Sequence, residues 1–285
     1  MWLTYTLISL GFFTGLFVFS KILTTNSKDQ RAFSVLYSLF ASLWALVFFL
    51  IETDLNSIVF PSGIIPYLVL TIACVFYGVF ERYRFKVMKN IDISLFSIIL
   101  TLAPVTAFIG SSILYKEPLT SIKIIGGALI IFSNILVAFQ PNKQRNKSDK
   151  KFVGLATIIS IFLGIAWMLD KSGAGYFGTP VYSILVWFLP ISIIFLPYIK
   201  ISNISFELKT ASWKIIALAF LNSAGYYLQL KALTLGEATR VIPIVQASLI
   251  FTVLLGIFFL KEKENKIQKI IAGIACFLGV VLLSR

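Results

Sequence analysis

Histidine is absent from this chain of 285 residues, and cysteine occurs only twice. The first absence removes the commonest general acid–base side chain and the HExxH type of zinc site. The second removes any disulfide framework, and Cys74 and Cys276 both lie inside apolar runs at no metal-ligand spacing. No metal and no other cofactor is expected. Charge is also scarce, 13% of residues against the quarter usual in a soluble globular chain. Acids are the scarcer sign, 12 against 25 basic residues, and no two of them pair within an apolar run. Catalytic residues are therefore not expected, and an enzyme is the least supported class of protein.

What is present is apolar surface: 58% of residues are hydrophobic and Phe alone occurs 27 times. Charge-free runs cover 1–20, 32–51, 55–80, 93–115, 124–142, 152–169, 172–199, 215–230, 241–260 and 270–284. An apolar helix of about 20 residues crosses a hydrocarbon core of about 30 Å. The two shortest runs gain length from Trp213 and Lys231 and from Lys266, because Lys stems lie along apolar surface while the ammonium stays wet. Alternating segments of about ten residues, the mark of a membrane β-barrel, do not occur. The first run lacks a basic leader and a small-x-small cleavage site, so it reads as a retained helix. The expectation is an all-α membrane protein of ten transmembrane helices.

The net charge of +13 does not imply nucleic acid, since the positives are spread over short loops between spans. Most of the 25 fall in loops 1/2, 3/4, 5/6, 7/8 and 9/10, counted between successive spans. By the positive-inside rule those loops are cytoplasmic and both termini lie outside, in a bacterial-type plasma (inner) membrane.

The sequence repeats at an offset of about 145 residues, with Lys116-Glu117 matching Lys261-Glu262 and Lys86 matching Lys231. Lys21 and Lys171 close spans one and six, and Ile124-Ile125-Gly126-Gly127 resembles Ile270-Ile271-Ala272-Gly273. Each half holds five spans, an odd number, so the second half enters the membrane inverted. The division expected is 1–140 for the first repeat, 141–151 for a basic linker and 152–285 for the second repeat. The linker, Pro141 to Lys151, is too polar for the bilayer and has no hydrophobic period. Both repeats lie in one chain, so a monomer suffices.

These residues resemble the EamA-like ten-helix branch of the drug/metabolite transporter superfamily. The resemblance rests on Ala103-Pro104, Lys116-Glu117-Pro118-Leu119-Thr120 and Gly126-Gly127, then on Ala232-Leu233, Gly236-Glu237-Ala238, Pro243 and Gly273. It implies a secondary transporter of small metabolites, amino-acid-like or other small organic solutes, working by alternating access between the repeats. A lipid or lipid-carrier flippase is the alternative within the same fold. The partners implied are a small-molecule substrate and the lipid bilayer.

Polar groups inside the spans mark where such a substrate binds, since a charge at mid-bilayer costs about 2.5–3.5 kcal/mol. Tyr77, Glu81 and Arg84 share one face of span three, and Asn222, Tyr226 and Gln229 repeat that spacing in span eight. Two such stripes either line a cavity or hydrogen-bond helix to helix, or else Glu81 and Arg84 pair in the cytoplasmic interface. Ser94, Ser97 and Thr101 in span four correspond to Thr239, Ile242 and Gln246 in span nine, and Pro104 and Pro243 bend those helices or open carbonyls toward a ligand. Trp167 is either an aromatic wall or an interfacial anchor. The expected cavity residues are Tyr77, Glu81, Thr101, Trp167, Asn222, Tyr226 and Gln246. Glu81, Asp170, Lys21 and Lys171 are the candidate coupling or charge sites, with Asp92 and Glu237 as further acids, all near span ends. Relatives of this branch mostly keep their termini in the cytoplasm, so orientation is a sharp test. A phosphatase fused to the C-terminus is expected to be active and a fluorescent protein dark; the opposite pair of results reverses the orientation.

Overall fold

The structure, a computed structural model, describes residues 1–22, 29–53, 58, 60–90, 96, 99–138, 150–196, 201–248, 250–251 and 266–285. The first half supplies α1 (Trp2–Ile22), α2 (Gln30–Glu52), α3 (Ile65–Asn90), α4 (Leu102–Leu114) and α5 (Ser121–Ala138). The second supplies α6 (Lys150–Phe177), a broken span made of α7 (Thr179–Phe188) and α8 (Pro190–Phe195), and the short α9 (Ile201–Ala211). It ends with α10 (Trp213–Leu235), α11 (Ala238–Gln246) and α12 (Lys266–Ser284). The protein is all-α, with five spans in each half. Among the described residues, Arg31–Glu52, Ile65–Arg84 and Lys150–Phe177 are each long and apolar enough to cross a membrane, and shorter apolar helices accompany them. Successive spans alternate in direction. We call the end where α1 starts and α12 finishes the terminal face, and the end where α5 finishes and α6 starts the linker face.

Several boundaries differ from those expected of charge-free runs. The third span begins at Ile65 and continues to Asn90, which carries Glu81 and Arg84 inside a helix. The sixth runs on to Phe177, so Asp170 and Lys171 stand about two turns inside it rather than at its end. A charged side chain does not stop a helix whose backbone bonds are intact; backbone geometry does. At the end of α6 it is Gly178, at φ 75°, that turns the chain, and Pro180 then opens α7. Pro190 lacks an N–H and splits the seventh span at Leu189. Lys150 and Lys151, expected in the linker, are the first residues of α6. Asp92, Ser94, Ser97, Lys261-Glu262 and the linker residues before Lys150 lie outside the described residues.

The two halves share their core. Leu70, Cys74 and Ala107 from the first pack with Phe177, Tyr182, Tyr226, Leu230 and Ile242 from the second in one buried cluster. At the linker face, Arg31 of α2 and Arg82 of α3 donate to the last carbonyls of α8, with Arg82 Nη1 to Ile193 O at 3.0 Å and to Leu196 O at 2.7 Å. Cations at a helix C-terminus meet both its orphan acceptors and its dipole. Asp29 caps α2 and also accepts from Asn203 Nδ2 of α9 at 2.6 Å. The last spans of the two halves, α5 and α12, meet at Gly126 and Gly279, where a Cβ on Gly279 falls 2.7 Å from the carbonyl oxygen of Gly126. Gly279→Val is therefore expected to lose about 1–3 kcal/mol by overpacking, read as a lower melting temperature in detergent. Gly154→Ala, where no atom lies within 4 Å of the added Cβ, is expected to show no loss.

Candidate functional site

Asp170 on α6 is the one acid among the described residues that is 0% exposed. Its Oδ2 accepts from the hydroxyl of Tyr77 on α3 at 2.6 Å. Its Oδ1 accepts from Tyr226 on α10 at 2.8 Å and from Tyr182 on α7 at 3.0 Å. Three phenols from three helices, one in the first repeat and two in the second, thus converge on a single carboxylate. Gly173, almost one turn along α6, makes the approach possible: a Cβ there sits 2.1 Å from the Tyr182 ring. Hydrogen bonds to a charged group contribute about 1.5–3 kcal/mol each and so work against the desolvation of this carboxylate. Among the described residues no cation pairs with Asp170; its neighbour Lys171 is paired with Glu117.

Aromatic rings extend this cage toward the linker face. Tyr77 and Tyr226 meet edge to face at 6.3 Å, and Trp187 meets Tyr226 at 5.7 Å and Tyr37 at 6.4 Å. The indole N–H of Trp187 is buried with no partner. Beyond these rings Glu81 and Arg84 form an ion pair at 3.0 Å, and the hydroxyl of Tyr37 lies beside Asn222 in their field. The two stripes expected on spans three and eight do face one another. They meet through Tyr77 against Tyr226, while Glu81 and Arg84 sit in the last turn of the apolar part of α3.

Trp167 is half-buried one turn from Asp170 and Lys171 and packs against the core on both sides of α6. Thr101 is buried at the turn before α4, and Gln246 is half-buried at the end of α11; neither supplies one of the three hydroxyls that bond Asp170. Lys21 ends α1, and its side chain is outside the described residues. Pro104 is buried in the first turn of α4, and Pro243 lies inside the nine-residue α11. The expectation that every candidate acid lies near a span end is corrected for Asp170, because α6 continues about two turns past it, while Glu81 stays in the last turn of the apolar part of α3. Tyr182, Tyr37 and Trp187 escaped the sequence reading: each sits in an apolar run where the polar neighbour at helical spacing is only a hydroxyl, Thr179, Ser34 and Ser183 in turn, and such groups satisfy themselves on the preceding turn.

Nearer the terminal face a second polar group joins the repeats. Glu117 follows α4, and its Oε1 accepts from Lys171 Nζ at 2.7 Å and from Ala238 N at 2.9 Å. Its Oε2 accepts from Thr239 N at 2.9 Å and Thr239 Oγ1 at 2.7 Å. A carboxylate has about four acceptor sites, so this one is saturated. It caps α11 from another part of the chain, taking two of the orphan N–H groups at the helix start. Lys123 pairs with Glu237 at 2.8 Å, Arg240 pairs with the same acid at 2.6 Å, and Glu52 pairs with Lys231 and accepts from Tyr227 at 2.5 Å. Lys171, Glu237 and Arg240, with Trp2, line a recess of about 400 Å³ open at this face.

Burial works to raise the pKa of Glu117, but the donors from Lys171, Thr239 and Ala238 outweigh it and hold the carboxyl below its ordinary value. Tyr77 and Tyr226 belong to the cage, Glu81 and Asn222 lie beyond its rings, and Glu117, read from the sequence only as a repeat marker, takes a structural role at its rim.

Residues 1–139 and 150–285 each match the EamA-like transporter family. A crystal structure of a protein superposes with a TM-score of 0.75 at 10% identity, covering 99% of this chain and 95% of that one, a likeness of fold. No curated protein matches the sequence.

The lowered pKa of Glu117 fixes the sign of one pH dependence. Its contribution to stability is full above the unfolded glutamate value of about 4.3 and is lost as pH falls from there through the lower folded value. The melting temperature is thus expected to drop over that window in wild type, and Glu117→Gln is expected to start lower and to flatten the drop. Equal slopes in both proteins contradict the assignment.

Proposed function

The chain belongs to the EamA-like transporter family and is an integral membrane protein of membrane transport, and on that premise we propose that it carries small organic solutes bearing an amino group, amino-acid-like ones foremost. The observation that carries this reading is Asp170: a carboxylate at the junction of both repeats, ringed by phenols and without a cationic partner among the described residues. A protonated amine supplies the missing positive charge. Tyr77, Tyr226 and Trp187 add ring faces that attract a cation, and Trp167 forms a wall one turn away. Glu81 and Asn222 offer a second polar contact at the linker side. Between loads the three tyrosine hydroxyls hold the carboxylate alone.

The working motion is a rocking of residues 1–140 against residues 152–285, which exposes the cage to one face and then the other. The charge distribution of the loops supports a linker face in the cytoplasm and a terminal face outside, in a bacterial-type plasma membrane. One chain holds both repeats, so a monomer can complete the cycle.

Purified protein in liposomes is to be screened against amino acids, nucleosides, sugars and organic cations, first by thermal shift and then by flux. An amine-bearing solute is expected to raise the melting temperature and to move. Asp170→Asn and Tyr226→Phe are expected to slow that flux by about tenfold or more, the loss of about 1.4 kcal/mol at the binding step. Wild-type flux in both variants overturns the site, and movement of lipid in place of any solute replaces the reading with that of a flippase.

A further inference from the structure

We propose that the turn Tyr115–Glu117 is a latch that closes the solute path at the terminal face, released when Glu117 leaves Lys171 and the start of α11. The proposal rests on the alternating-access reading above, and its ground is where this short segment reaches. It leaves α4 in the first repeat and touches two helices of the second. The hydroxyl of Tyr115 donates to Met168 O on α6 at 2.6 Å and lies 2.9 Å from Ser172 Oγ. Lys171 Nζ passes 5.1 Å above the Tyr115 ring on its way to Glu117. Glu117 then binds α11 through Ala238 and Thr239.

The backbone is set for this reach. Lys116 takes a left-handed conformation, φ 52°, which a side chain with a Cβ rarely adopts. That residue reverses the chain at the end of α4 and aims Glu117 back over α6 and α11. Ser112 Oγ donates to Glu117 O at 3.1 Å, and Lys123 Nζ donates to Pro118 O at 2.9 Å, so both sides of the turn are held. Lys123 also pairs with Glu237 across the repeat boundary, a second tie at the same rim.

Position makes the tie a latch. Lys171 stands in the wall of the open recess, and the residue before it is Asp170 in the tyrosine cage. The Glu117–Lys171 pair therefore lies between water at the terminal face and the buried carboxylate. Moving the first repeat away from α6 and α11 separates Glu117 from all four donors at once. That opens the recess inward to the cage.

The chain contains its own reporter. Cys74 on α3 is buried, its Sγ 3.8 Å from Leu185 O, in the same cluster as Tyr182 and Tyr226. In a Cys276→Ser background it is the single thiol. Full-length protein is reconstituted in vesicles whose orientation is read from a C-terminal tag, and a membrane-impermeant maleimide is applied to one face at a time. Glu117→Gln and Lys171→Gln are each expected to raise the rate of Cys74 modification from the terminal face about tenfold, the shift in open population that loss of the tie produces. The rate from the linker face is expected not to rise. Thr239→Val, which removes one donor and leaves both charges, gives a smaller increase and serves if either charge variant fails to fold, judged by helical content and elution. An unchanged rate in folded variants overturns the latch, and so does an equal rise from both faces, which marks general loosening. The labelling needs no transported solute. Failure to find a substrate therefore leaves the latch standing, and an unchanged rate leaves the Asp170 site standing.

Discussion

A carboxylate inside a bilayer must find its hydrogen-bond donors within the protein, and the rest of this structure is arranged around how Asp170 finds them. Water satisfies such a group in a soluble protein; hydrocarbon offers nothing. The donors come from Tyr77, Tyr182 and Tyr226, on α3, α7 and α10. That requirement brings both repeats to one point. It also explains the close packing of α6 and α7 at Gly173, where any side chain displaces the Tyr182 ring. Edge-to-face contacts among Tyr77, Tyr226, Trp187 and Tyr37 continue the same set of rings toward the linker face. A centre satisfied by hydroxyls alone, with no fixed cation, stays able to take a positive charge from elsewhere.

The inverted repeats share a frame without sharing chemistry. Under the repeat Tyr77 corresponds to Asn222, Glu81 to Tyr226 and Arg84 to Gln229, so one stripe carries an ion pair where the other carries a phenol and an amide. Glu81 and Arg84 pair with each other, whereas Tyr226 reaches Asp170. The two faces differ in the same way. At the terminal face charged pairs cross between repeats: Glu117 with Lys171, Lys123 with Glu237 and Glu52 with Lys231. At the linker face Arg31 and Arg82 bind neutral carbonyls at the end of α8. Carbonyl caps tighten a helix end, while the Glu117–Lys171 and Lys123–Glu237 pairs each leave two buried or half-buried charges behind when they part.

Much of this was legible in the residues themselves. Charge-free runs, loop charges and the repeat of about 145 residues lead to ten helices in two inverted halves, because a bilayer imposes length and apolarity on every span whatever its neighbours are. The stripe Tyr77, Glu81, Arg84 and its partner Asn222, Tyr226, Gln229 were readable because helical periodicity places them on one face. Span ends were less legible. Asp170 and Lys171 look terminal when spans are counted by absence of charge, and only the continued backbone ladder of α6 puts them inside.

The sequence by itself determined the membrane, the helices, the inversion and the polar faces, all consequences of local composition and period. Only the tertiary structure decided that Tyr182 joins Asp170, that Lys171 turns to Glu117, and that Glu117 caps α11 from 121 residues away. The physical reason is that a hydrogen bond forms between groups close in space, and neither spacing nor composition records which helices meet. Thr101, Trp167 and Gln246 have polar or aromatic character much like that of the cage residues, yet none of them bonds Asp170 as Tyr77, Tyr182 and Tyr226 do. Position relative to one buried carboxylate separates them, and that position is a property of the packed helices.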